Sequence, residues 1–398
     1  MTRIPRPPQA HLEESPTIAL TDAVRKLAGS GIDIVSLAAG EPDFPTPTHV
    51  KEAAIAAVRT NFTRYTPNEG IPEVVEAVRW KFAIDNGLTF DDGQILVSSG
   101  AKQSVFNTIM ALCAPGDEVL LLSPYWVSYP GMIKLAHAVP VVVPTLMKDR
   151  FLPDPERLRR AVTPRTRALI INSPGNPTGA VYPKQLLEQI AEITAVHGIT
   201  IISDEIYEKV LYEDSVHVSI GSLDAARNRV VTVNGLSKAY AMTGWRIGFL
   251  GGPRDLVKGA AMVQSQTTSN ANSIAQRAAV AALRGPQDDL HSMQQEYARR
   301  RSYVLEQLGG IPGIDFLRMQ GAIYGFLHIA GLSRGDGAPL TGTQVAASLL
   351  EHHRVALVPG AAFGDDSFVR FSFSCPQSTL QKGIERIRDG LRTMHNHV

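Results

Sequence analysis

Residues 229–252 read RVVTVNGLSKAYAMTGWRIGFLGG. Two short apolar runs, RVVTVN (229–234) and RIGFLGG (246–252), flank a loop of small and hydroxyl side chains that carries Lys238 and leads into Arg246. Runs of this length, rich in apolar residues and edged by glycine, predict strands. A lysine at the carboxyl end of such a run is either a solvated loop residue or a buried amine put to chemical use.

Outward from this stretch the same pattern recurs. GITIISDE (198–205), RALIIN (167–172), VPVVVP (139–144), EVLLLS (118–123) and QILVSS (94–99) all read as strands. Between them lie helical stripes, with Val105, Ile109 and Leu112 on one and Leu186, Leu187, Ile190 and Ile193 on another. Near-continuous apolar strands separated by amphipathic helices predict an α/β fold whose mostly parallel sheet is covered by helices. Ligands of such sheets bind outside the carboxyl ends of the strands. After about residue 285 the pattern changes to a long charged helix (QQEYARRRSYVLEQL, 294–308), scattered strands (FLHI, ALVP, FVRFSFS) and a final helix, which predicts a smaller α+β domain. Residues 1–16 are rich in proline and unpatterned, as an arm would be.

Bulk composition narrows the function classes. A chain of 398 residues suggests two domains, and 44% hydrophobic with 19% charged residues is ordinary globular usage. A net charge of +1 gives no acidic or basic excess to attract nucleic acid or a membrane surface. Cys113 and Cys375 match neither a disulfide framework nor a zinc spacing, and no metal site is expected. The first twenty residues lack the apolar core of a signal peptide, and no apolar run reaches the ~18 residues of a membrane span. The expectation is a cytoplasmic protein.

The strand ends carry the chemistry. SSGAKQ (98–103) joins a strand to a helix through Gly100, and the unpaired N–H groups at that helix start form an anion cup. Neither a P-loop nor the dinucleotide-binding glycine fingerprint is present. Trp126, in SPYWVSYP (123–130), is either core or a platform for a flat ring. Asn176, in NSPGNPTG (172–179), is either part of a turn or a donor to a ligand oxygen. Asp204, in IISDEIY (201–207), either caps a helix or partners a ring nitrogen that must stay protonated. Arg246 suits a phosphate clamp. A phosphate cup, a stacker, an acid, an amide donor and a lysine together make the set that pyridoxal phosphate requires.

At these residues the sequence resembles the class I aminotransferases of PLP fold type I, in their bacterial and archaeal aspartate/aromatic branch. The shared text includes AGEPDFPTP (39–47), GIPEVVEAV (70–78), PGDEVLLLSPYWVSYP (115–130), NSPGNPTGAVYP (172–183), SDEIYEKVLYE (203–213), NGLSKAYAMTGWRIG (234–248) and VRFSFS (369–374). The resemblance implies that Lys238 carries the Schiff base and moves the α-proton, while Asp204 pairs with the pyridinium. It implies that Tyr207 and Asn176 bond the ring's phenolic oxygen and that Trp126 stacks on the ring. Gly100, Ala101, Lys102, Ser237 and Arg246 would hold the phosphate. Tyr65, in TRYTPNEG, would reach the phosphate of a neighbouring subunit, so a homodimer with shared sites is implied. Arg370 would clamp the substrate α-carboxylate with help from Gly40, Trp126 and Asn176. The implied division is an arm over 1–16, a small domain from 17–47 with 286–398, and a large cofactor domain over 48–285. The implied reaction is a ping-pong exchange of an amino group between an L-amino acid and 2-oxoglutarate.

Substrate choice is less determined. A dicarboxylate needs a cation or dense donors for its second carboxylate, and no second arginine stands in a motif; Lys102, Ser15 and Thr17 are the candidates. Met110 falls where some relatives place a polar or basic reader, which weighs against exclusive dicarboxylate use. Aspartate is the favoured donor, with aromatic amino acid or prephenate transamination the alternative. A PLP-dependent lyase would share the cofactor residues. A PLP-binding regulator would need an appended DNA-binding domain, and a nicotinamide oxidoreductase would need the missing glycine fingerprint.

Overall fold

The computed structural model describes residues 16–213, 215–333 and 337–395. Residues 1–15, which hold Ser15 and almost all of the expected arm, lie outside the described residues. The strands are β1 (Val35–Ser36), β2 (Ile95–Ser98), β3 (Glu118–Ser123), β4 (Val139–Pro144), β5 (Thr166–Asn172), β6 (Thr200–Asp204), β7 (Val230–Gly235), β8 (Gly248–Gly251), β9 (Tyr324–His328), β10 (Val355–Ala356), β11 (Val358–Pro359) and β12 (Phe368–Ser372). The helices are α1 (Pro16–Gly29), α2 (Thr48–Arg59), α3 (Pro72–Asn86), α4 (Ala101–Leu112), α5 (Tyr129–Leu135), α6 (Pro155–Ala161), α7 (Lys184–His197), α8 (Arg254–Thr267), α9 (Ser273–Arg284), α10 (Asp288–Leu308), α11 (Gly342–His353) and α12 (Gln377–His395).

Seven strands form one sheet in the order β2-β8-β7-β6-β5-β3-β4. All neighbours pair in parallel except β8, which runs antiparallel to both β2 and β7. That reversal matters. It brings the residues entering β8 to the rim where the other strands end, so Gly248 pairs with Gly235 on one side and Ser98 on the other. A Cβ on Gly248 would overlap the backbone of Gly100 and Ala101, so only glycine lets these segments approach so closely.

Side chains alternate across the sheet. Leu120, Leu122, Leu169, Ile171 and Ile201 pack with Leu187 and Ile190 of α7 on one face. Val119, Leu121, Ile170, Ile202, Val231 and Val233 pack with Val105 and Ile109 of α4 on the other. Each fully buried aliphatic side chain contributes roughly 1.5–3 kcal/mol. The fold is α/β, as the sequence predicts, with strand ends within a residue or two of expectation.

Two details differ from the sequence reading. No element is expected over residues 16–29, yet α1 forms there with none of its residues buried. ALVP divides at Leu357, because β10 pairs in parallel with β1 while β11 pairs antiparallel with β12. Val35 and Leu37 join a separate core with Tyr297 and Val304 of α10, Phe371, and Leu380 and Ile384 of α12. The same core also takes in Tyr207, Val210 and Tyr212 from within 48–285, and the division of the chain stays a proposal.

Candidate active site

The carboxyl rim of the sheet opens on a cavity of about 540 Å³. Gly40, Ala101, Lys102, Trp126, Asn176, Asp204, Tyr207, Ser237, Lys238, Arg246 and Arg370 all line it. Of the remaining residues singled out above, Gly100 lies against Arg246, whereas Tyr65 is 92% exposed and away from the cavity.

One end of the cavity is built for an anion. Gly100 caps α4 at φ 90°, a backbone conformation that strains other residues, and a Cβ there would overlap the Arg246 guanidinium. Arg246 is held by the Thr243 carbonyl at 2.9 Å and the Ser99 carbonyl at 3.4 Å. Helix dipole, free N–H groups and guanidinium therefore converge. Lys102 lies 4.9 Å from the Trp126 ring centre, and burial, then the charge of Arg246, lower its pKa. Among the described residues, no carboxylate pairs with Arg246 or Lys102 at this cationic end.

Asp204 ends β6 and is 4% exposed. No helix follows it, so the capping alternative is not realised; a turn does, and Ile206 N–H donates to Asp204 Oδ1 at 3.3 Å. Tyr129 donates its hydroxyl to Oδ2 at 2.8 Å. Burial pushes the Asp204 carboxyl up to about 6; the Tyr129 and Ile206 bonds oppose this, and the Glu205 charge adds to it. Asn172, at the end of β5, donates to the Asp204 carbonyl at 2.9 Å and accepts from Asn176 N–H at 2.8 Å, which shapes the loop carrying Asn176.

Lys238 Nζ donates to the Gly40 carbonyl and lies 5.8 Å from the Tyr207 ring centre. Tyr207 and Tyr324 share a hydrogen bond at 2.6 Å. Arg370, on β12, is 3% exposed; it donates to Asn176 Oδ1 at 3.1 Å and to the Ala38 carbonyl at 2.6 Å. Its guanidinium lies between the rings of Tyr324 and Phe363, 4.4 and 4.9 Å away, and its Nε has no hydrogen-bond partner. No carboxylate of the described residues pairs with it. Burial lowers its pKa, and a carboxylate ligand would offset that cost.

The sequence reading passed over three residues of this site. Tyr129 sits one turn beyond Trp126 in SPYWVSYP, and that spacing was the available signal. Asn172 was visible only as the strand's last residue. Tyr324 comes from β9, far away in sequence, and no local signal marks it. Met110 is exposed near the far end of α4 and does not line this cavity. Thr17, Ile18 and Thr21 of α1 do line it.

The aminotransferase class I and II family model matches residues 32–387. The bifunctional aspartate aminotransferase and glutamate/aspartate-prephenate aminotransferase of Petunia hybrida is 45% identical over 391 residues, covering 96% of this chain and 82% of that protein. The aspartate aminotransferase of Geobacillus stearothermophilus is 43% identical over 379 residues, covering 95% of this chain and 96% of that one. The solved structure of aspartate aminotransferase from Thermus thermophilus with maleate superposes with a TM-score of 0.91 at 43% identity, covering 96% of this chain and 98% of that chain.

Proposed function

The chain belongs to the class I and II aminotransferases, and on that premise we propose that it moves the amino group of L-aspartate to 2-oxoglutarate with pyridoxal 5′-phosphate as cofactor. One observation carries the reading: a buried arginine without a carboxylate partner shares a cavity with a lysine amine and a buried acid.

The residues fit the cofactor on grounds internal to the structure. The anion cup at α4, Arg246 and Ser237 would hold its phosphate, and Trp126 offers a flat face. Asp204 is a buried acid that gains from a cationic ring nitrogen. When bound, the cofactor supplies a carbonyl carbon for the amino group and an electron-withdrawing ring. Every other role falls to the chain. Arg370 orients the substrate by its α-carboxylate, with Asn176 already bonded to the same guanidinium. Lys238 Nζ leaves the Gly40 carbonyl, takes the proton from substrate Cα and holds it until it is returned. Asp204 keeps the proton on the ring nitrogen. Tyr207, bonded to Tyr324, would hold the cofactor by a hydrogen bond from its hydroxyl. The oxo acid of the donor leaves before the acceptor enters the same cavity.

Tyr65 is almost fully exposed on its own chain, which supports a role at the site of a second copy in a homodimer. No helix among the described residues is long and apolar enough to cross a membrane, and we place the enzyme in the cytoplasm.

A panel of donors against 2-oxoglutarate tests the assignment. Aspartate is expected to give the highest kcat/KM, forming one oxaloacetate for each glutamate, and glutamate is tested as donor with oxaloacetate in the reverse direction. Prephenate as acceptor belongs in the panel, since proteins named aspartate/prephenate aminotransferase are 44% identical to this chain. A maximum with tyrosine or alanine would overturn aspartate as donor, and consumption of the donor without formation of glutamate from 2-oxoglutarate would establish a lyase.

Arg370→Leu is expected to lower kcat/KM for aspartate by about 10³-fold, the scale of removing one member of a buried charge pair. The variant should stay folded, because the ligand-free protein then loses a buried cation that has no carboxylate. Unchanged KM and kcat would remove Arg370 from the substrate site.

A further inference from the structure

Glu205 follows Asp204 directly but serves a different part of the protein. Successive residues of an extended chain face opposite ways, so Glu205 turns from the active-site cavity into the protein interior. It is 1% exposed and takes four donors: Ser203 Oγ and Ser219 Oγ at 2.8 Å, Asn86 Nδ2 at 2.9 Å and His217 Nε2 at 3.0 Å. Asn86 bridges onward to Glu208 at 2.6 Å, and Lys81 pairs with Glu208. None of these side chains reaches the reacting atoms.

This buried group opens on the other side to a second cavity of about 420 Å³, lined by Lys81, Glu208 and His217 among others. The charged and titratable groups around His217 are Glu205 and Glu208 behind it, Lys81 and Asp85 of α3, Lys209 of the turn after β6, and Tyr240 and His291 across the cavity. Lys81 sits against Glu208, and Lys209 bonds Asp85 at 2.6 Å. His217 is then the side chain that faces Glu205 with a positive charge when protonated. Burial alone would lower the His217 pKa, but the two carboxylates outweigh it and raise it.

A carboxylate charge beside a buried acid disfavours that acid's ionised form, and the Glu205 charge acts on Asp204 in this direction. We propose that His217 and Glu205 are positioning residues that set the charge of Asp204 from behind: protonated His217 cancels the Glu205 charge, so Asp204 stays ionised toward the cofactor's ring nitrogen. The proposal rests on the pyridoxal phosphate reading above.

The test uses pyridoxamine 5′-phosphate, which has the same ring and phosphate but forms no covalent bond to Lys238. Its Kd is measured on full-length protein freed of cofactor, from about pH 5 to 9. The ligand's own ionisations are common to all variants and cancel in the comparison. His217→Gln keeps a donor toward Glu205 but removes the charge, so the pH at which binding weakens on acidification should rise by about one unit, with Kd up about tenfold near pH 5 and almost unchanged near pH 9. Glu205→Gln removes the opposing charge, so the same limb should move to lower pH. The double variant should return close to wild type. Equal weakening at every pH, or movement of both single variants in one direction, would show a merely structural role and overturn the proposal. If Glu205→Gln does not fold, an unmoved limb in His217→Gln is enough to overturn it. Failure of the wild type to bind pyridoxamine 5′-phosphate at all would instead sink the cofactor reading.

Discussion

Lys238→Ala is expected to lose at least about 10⁴-fold in kcat, because one side chain supplies both the covalent anchor and the general base, and general acid–base catalysis alone contributes about 10²–10⁴-fold. The fold should survive. Lys238 is only half-buried, and its amine bonds one backbone carbonyl, that of Gly40. The Gly40 segment has other ties, since Ala38 O accepts from Arg370 and Thr46 bonds both Ala241 O and Trp245 Nε1 at 2.9 Å. Cofactor should still bind, held at the phosphate and the ring nitrogen, but borohydride reduction should no longer fix its mass to the chain. Retained turnover in this variant would end the mechanism given above.

Asp204→Asn should have opposite effects on stability and on catalysis. The folded-state pKa of Asp204 lies near 6, above the ordinary value of 3.8. For a raised pKa, stability is fully present below the unfolded value and is lost as pH rises through the folded one. Ligand-free protein therefore carries a cost of about 3 kcal/mol above roughly pH 6 that is absent near pH 4. Asparagine removes that cost and still accepts from Tyr129. Ligand-free Asp204→Asn is expected to melt several degrees higher than wild type at pH 8 and at the same temperature near pH 4. The same change removes the charge that holds the ring proton, and activity should fall by about 10²–10³-fold, the usual scale for one preorganised electrostatic group. A variant that melts lower than wild type at pH 8 would refute the buried-charge account; full activity would refute the ring-nitrogen role.

The sheet was legible because its strands, the exposed edge strand β4 excepted, are buried on both faces, and apolar runs such as EVLLLS and VVTV admit few other readings. The cofactor end was legible for a related reason. A parallel sheet gathers the residues after each strand, so Gly100, Asp204 and Lys238 are near one another in space although each looks unremarkable alone. Arg246 is a different case: its place depends on the reversed direction of β8, which periodicity does not encode. Tyr324 and α1 were not legible. Tyr324 reaches Tyr207 and Arg370 only through packing of β9 against β12, and α1 has no buried stripe to give it a pattern. Met110 lies on α4 but outside the cavity lining, because a match of sequence position does not give how far the cavity extends along the helix. The Glu205 cluster was missed because the segment SDEIY drew attention to Asp204 alone, and the alternation that sends its neighbour the other way has no chemistry until Asn86 and His217 are seen beside it.

The position of β8 has a consequence for how the molecule is made. β2 leaves the ribosome about 150 residues before the strand it must pair with, and β8 also separates it from β7. Until β8 arrives, β2 has an open edge and apolar side chains without a partner, the kind of intermediate that aggregates or recruits a chaperone. The same insertion closes the loop holding Ser237, Lys238 and Arg246 against the start of α4. On the cofactor reading proposed above, a nascent chain would assemble its anion-binding end only once the sheet is whole, and pyridoxal phosphate supplied during synthesis should favour only chains that have already completed their hardest pairing.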